Sequence, residues 1–227
     1  MKVGVDWVKV NAVYDSIRSN RHINTFVILT RYLIAFAFVP SGLKKVLGER
    51  FTQLGVDTPV GFFFEGLYQS GFYWNFLVLG QLFAAFLLMT QRFATLGASI
   101  FFFIITNIWV ITIAMNFSGT WVITSLMMLA TMMLLFWDYH KLKYLFYADN
   151  FSMQRTETTY PSYNGIWINA GILLFILSTG GLILLEKLKS TNPVFLLVWL
   201  LAIVFTVLSA LVINEFRYRK IEAITYK

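Results

Sequence analysis

With 58% of its 227 residues hydrophobic and only 13% charged, the chain is too apolar for a water-soluble domain, and its mean hydropathy of +0.69 points to a bilayer as its solvent. The formal charge of +7 is accounted for by membrane topology and anionic lipid, without nucleic acid as a partner. The lack of any cysteine excludes disulfides, thiolate catalysis and CxxC redox chemistry.

The first 23 residues are expected to form an amphipathic helix on the inner membrane surface. Val3, Trp7, Val10, Tyr14 and Ile17 recur at three- and four-residue steps, with Lys9, Asp15 and Arg18 between them. Such a helix serves either as an anchor or as a partner-binding element. This stretch carries charges throughout and no continuous apolar core, so the first span, not a cleaved signal peptide, is the expected insertion signal.

Six apolar runs follow, at residues 24–47, 72–89, 93–115, 121–137, 166–185 and 194–212. Each is close to the ~20 residues a helix needs to cross ~30 Å of hydrocarbon. Phe101-Phe102-Phe103-Ile104-Ile105 is apolar on every face, which excludes the alternating strands of a closed β-barrel. The predicted fold is therefore all-α, a polytopic helical bundle.

Within the first run, Arg31 sits about seven residues from the start, ~10 Å deep at ~1.5 Å per residue. It can snorkel to the interface or pair inside the bundle. Pro40-Ser41-Gly42 is expected to interrupt the outer half of this span, ahead of Lys44 and Lys45. In the following loop, Thr58-Pro59 reads as a cap and first-turn proline. It opens a short helix with Phe62, Phe63, Phe64 and Leu67 before Gly71, either a surface helix or a lid over an outward cavity. Glu65 there is expected to lie near Lys44, Lys45 and the outer cavity, as an ion-pair partner or as a solvated surface charge.

Short connections force spans two, three and four into antiparallel neighbours, and Ala84, Ala85, Ala94, Gly97 and Ala98 permit close approach. The polar, aromatic stretch 138–165 forms a cytoplasmic linker, separating a four-helix core at 24–137 from a C-terminal hairpin and tail at 166–227. That hairpin carries few polar groups, so an anchoring or docking role is expected of it.

Lys and Arg distribution sets the expected orientation. Lys2, Lys9, Arg18, Arg21, Arg92, Lys141, Lys143, Arg155, Arg217, Arg219, Lys220 and Lys227 fall on one side, 12 in all. Lys44, Lys45, Arg50, Lys187 and Lys189, five in all, fall on the other, which predicts cytoplasmic termini.

Polar groups inside a membrane are the default pointers to function. Ser41, Lys45, Gln81 and Asn107 are the candidate ligand-binding set, lining a pocket among spans one to four that opens outward, with Gln81 and Asn107 presenting donors and acceptors to a carbonyl. The alternative is that such groups only bond between helices, at about 0.6 kcal/mol each. His22 and His140 lie far apart with no carboxylate at ligand spacing, so no haem or metal site is expected. No Gly-rich phosphate loop is present either, so no nucleotide is expected.

Arg31, Ser41-Gly42-Leu43-Lys44-Lys45, Phe51, Gly55, Pro59, Leu79-Gly80-Gln81 and Arg92 together resemble the DoxX/DoxD-like family of four-helix membrane proteins. The resemblance covers roughly residues 31–137. It matches Arg31, Gly42 and Lys45 to a first-helix Arg and Gly-x-x-Lys, puts Gln81 where many members carry Glu, and sets Arg92 at the turn after helix two. Arg31, Glu65 and Arg92 are the expected structural or ion-pair residues. Gln81 cannot ionise, and both the missing cysteines and the added hairpin depart from the pattern. The resemblance implies association with membrane oxidoreductases, as in the membrane subunit of a thiosulfate:quinone oxidoreductase. Two roles follow as expectations: a non-catalytic, redox-linked accessory or scaffold subunit with other membrane subunits as partners in a bacterial-type inner membrane, or a subunit that binds quinone or another small molecule.

Overall fold

The computed structural model describes residues 7–146, 165–188 and 193–225, and among them every element is a helix. A surface helix, α1 (Trp7–Ser19), leads into α2 (Arg21–Val46), the first of six helices long and apolar enough to cross a membrane. The short α3 (Pro59–Gln69) precedes α4 (Phe72–Met89), α5 (Ala94–Ala114) and α6 (Thr120–Trp137). A further short helix, α7 (Tyr139–Phe146), is followed by α8 (Gly165–Leu188) and α9 (Pro193–Thr225). Val3, Arg155 and residues 147–164 of the linker lie outside the described residues.

Local chemistry explains the helix ends. Asn20 caps α2 by accepting from the backbone N–H groups of His22 and Ile23. Thr58 caps α3, its Oγ1 accepting from Gly61 N at 3.0 Å with Pro59 in the first turn, as expected from the sequence. The break expected at Pro40-Ser41-Gly42 is absent: α2 runs through Pro40 to Val46. Gly42 is used for contact instead, since a Cβ there would stand 2.8 Å from Leu82 Cδ2 of α4.

α2 is the central helix and the most buried of the six membrane-length helices, whereas α9 is the least buried. It packs on α4, α6 and α8. Val27, Ile28, Ala35, Phe38 and Val39 of α2 meet Ala84, Ala85 and Leu88 of α4, Ala98, Phe101 and Ile105 of α5, and Leu134 of α6 in one buried cluster. α5 and α6 are stitched by side-chain bonds: Thr112 and Thr124 hydroxyls lie 3.0 Å apart, and Trp109 Nε1 donates to Ser125 Oγ at 2.8 Å.

The C-terminal hairpin shares this core. Trp167, Ala170 and Leu174 of α8 belong to the same cluster, and the Tyr32 hydroxyl donates to the Trp167 carbonyl. Gly171 permits the contact, because a Cβ there would collide with the Met89 carbonyl of α4. On the other side of α8, Trp199 of α9 donates its Nε1 to Leu177 O at 2.8 Å. Thus α8 is the bridge between the core and α9, whose apolar side chains remain mostly exposed.

Candidate functional site

Two polar clusters form where helices converge. The first centres on Arg31, ten residues beyond the start of α2, or ~15 Å along its axis. Its Nη2 donates to Asp138 Oδ2 at 2.9 Å and its Nη1 to Gln91 Oε1 at 3.0 Å. Thr95 Oγ1 donates to the same Asp138 oxygen at 2.9 Å. Lys141 Nζ, one turn on, donates to Asp138 Oδ1 and to Thr95 Oγ1, both at 3.2 Å. Arg31, Gln91 and Asp138 are all buried, at 4%, 1% and 2% exposure, so the ion pair is a desolvated one.

Each partner is delivered by a helix end. Asp138 is the C-cap residue of α6, and Gln91 occupies the turn between α4 and α5 with φ of 58°. That left-handed conformation is uncommon for a side chain of this size. Burial pushes the Asp138 carboxyl up, but Arg31, then Lys141 and the Thr95 hydroxyl, outweigh it and hold the group below its ordinary range. Asp138 therefore stays ionised, suited to holding helices together and not to carrying a proton near neutral pH.

α1 closes over the same end of the bundle. Tyr14 donates its hydroxyl to Trp137 O at 2.5 Å and meets His140 Nδ1 at 3.3 Å. The Arg18 guanidinium, buried at 7% exposure, lies 5.5 Å from the Tyr14 ring centre and 5.7 Å from that of Trp137. Val13 and Ile17 stay exposed, so α1 uses its tyrosine and arginine toward the protein and leaves aliphatic side chains outside.

The second cluster joins two of the four residues proposed to line a pocket. Lys45 Nζ donates to Gln81 Oε1 at 3.3 Å and sits 4.9 and 5.3 Å from the ring centres of Phe51 and Trp74. The Trp74 indole N–H beside it is buried and has no hydrogen-bond partner among the described residues. Ser41, half-buried, lies one turn before Lys45 on α2.

Asn107 does not join them. Its side chain is exposed, and its amide donates to the Phe103 carbonyl of its own helix at 2.8 Å. Glu65 turns away from Lys45: it accepts from Arg50 Nε at 2.7 Å and Arg50 Nη2 at 3.1 Å, and from Gln69 at 2.8 Å. These donors, Arg50 first and Gln69 second, bring the Glu65 carboxyl down to about 2. The Lys44 side chain lies outside the described residues. Arg92 is exposed with its guanidinium 5.6 Å from the Phe93 ring centre, and its neighbour Gln91 enters the buried cluster in its place.

Sequence reasoning missed Asp138, Gln91, Thr95 and Lys141. The signal that could have found Asp138 is the parity of the spans, which puts the end of span four on the same side as the start of span one, where Arg31 needs an acid. The chain matches no known family model, no curated protein and no solved structure.

Proposed function

We propose that this chain is a non-catalytic accessory or scaffold subunit of a larger membrane complex. The observation that carries this reading is the use made of its deepest charge: Arg31 is spent on Asp138 and Gln91, tying three helix ends together. Asp138, Thr112, Thr124, Trp109 and Ser125 are likewise engaged in bonds between helices. A rigid bundle of this kind offers its apolar exterior to other membrane proteins, with α9 as its most exposed helix. The resemblance to the DoxX/DoxD-like family supplies the redox link, and the Lys and Arg distribution favours cytoplasmic termini in a bacterial-type inner membrane.

The second reading, a subunit that binds quinone or a related small molecule, is favoured by one observation. Lys45 of α2, bonded to Gln81, stands beside the Trp74 ring of α4, whose indole N–H has no hydrogen-bond partner among the described residues, so the two offer donors to an acceptor-bearing ring.

A photo-crosslinking side chain installed at Phe205, 72% exposed on α9, tests the first reading in intact membranes. A discrete crosslinked product with a second membrane polypeptide is expected, and it should vanish when the probe is moved to the buried Ala210. Crosslinks to lipid alone from Phe205 and from other exposed α9 positions would overturn it.

A further inference from the structure

The end of the bundle that carries the start of α2 and the end of α9 holds a cleft unrelated to either polar cluster. Its volume is about 570 Å³, within the ~300–1,000 Å³ range of ligand sites. Its mouth is charged: Glu215 of α9 pairs with Arg21 of α2 and accepts from Arg219 Nε at 3.1 Å. Arg21 is further oriented by the Tyr218 ring, whose centre lies 4.9 Å from its guanidinium carbon. Two guanidiniums thus share one carboxylate, and the described residues that line the cleft carry one net positive charge.

The deeper walls are different in character. Phe26 and Leu29 of α2 face Val212 of α9 across the cleft, and Phe26 and Val212 are 57% and 52% exposed within apolar, membrane-length segments. A small soluble anion would match the mouth but leave this apolar wall bare.

We infer that the cleft between α2 and α9 is a binding site for an anionic phospholipid, its phosphodiester on Arg21 and Arg219 and an acyl chain along Phe26, Leu29 and Val212. One phosphodiester charge balances the single excess positive charge. A phosphocholine headgroup cannot do the same, since it brings its own cation against the guanidiniums. Basic pockets between transmembrane helices recognise anionic headgroups by this chemistry.

The test titrates the purified full chain in neutral detergent with dioleoylphosphatidylglycerol, dioleoylphosphatidylcholine or sodium phosphate, reading the midpoint of thermal unfolding. The phosphatidylglycerol should bind at least about fivefold more tightly than the phosphatidylcholine, and Arg219→Gln should lose about fivefold, the contribution expected of one arginine near a lipid surface. Sodium phosphate should neither stabilise the chain nor displace the lipid. Arg21→Gln/Arg219→Gln should abolish the preference. Should Arg21→Gln impair folding, Arg219→Gln alone decides, because the Arg219 side chain is 73% exposed. Equal binding of the two lipids, an unchanged preference in Arg219→Gln, or stabilisation by phosphate alone would overturn the inference.

Discussion

Arg31 Nη2 and Asp138 Oδ2 lie 2.9 Å apart although 107 positions separate them in the chain, and both side chains are almost fully buried. Desolvating either charge alone is expensive, so the pair holds the middle of α2 to the end of α6 only while both are present. Asp138→Ala should cost about 3–5 kcal/mol, read as loss of membrane accumulation and a lower unfolding midpoint in detergent. Arg31→Met/Asp138→Leu should recover most of that loss. A double variant as unstable as Asp138→Ala would contradict a purely structural pair.

The closeness of α8 to the core rests on Gly171. Gly171→Val should force α8 off the Met89 carbonyl and destabilise by about 1–3 kcal/mol, lowering the unfolding midpoint. Gly180→Ala, where a Cβ meets nothing within 4 Å, should leave it unchanged.

The cysteine-free sequence makes disulfide mapping clean. Thr112→Cys/Thr124→Cys should form a disulfide under mild oxidation, since the native hydroxyls are 3.0 Å apart. Gln81→Cys/Asn107→Cys should not, because Gln81 is buried whereas the Asn107 side chain is exposed and bonded to its own helix. Efficient crosslinking of the second pair would reverse this arrangement.

The Glu65 carboxyl should titrate near 2, against 4.5 for the free group. Its folded value is depressed, so the Arg50 contact contributes stability above about 4.5 that fades as pH falls through about 2. The pair is exposed, and the effect should shrink with added salt. Carbon-detected NMR of labelled Glu gives the midpoint directly, and Arg50→Ala should move it back toward 4.5.

The spans were legible because bilayer thickness fixes helix length: 72–89 coincides with α4, and the runs at 93–115 and 121–137 fall within one residue of α5 and α6 at each end. The Thr58-Pro59 cap and the small residues of α4 and α5 were legible for equally local reasons. Facing directions were not. At ~100° per residue, Asn107 stands ~200° around α5 from the buried Ile105, and with hydrophobic residues on every side nothing in the sequence marks which face is inward. The partner of Arg31 was hidden because Asp138 reads locally as the start of a polar linker. Its membrane-side role appears only once α6 is packed against α2. Similarly, the resemblance points to Arg92 at this turn, while the left-handed backbone at Gln91 that turns the amide inward has no local sequence signal.

Native mass spectrometry of the intact chain, extracted from its own membrane in lipid nanodiscs without detergent, is the most direct test of the accessory-subunit reading. A mass corresponding to the chain plus at least one other polypeptide is expected, retained in Gln81→Leu. Recovery of the chain without any partner, carrying a quinone that is lost in Gln81→Leu, would contradict it and establish the ligand-binding role instead.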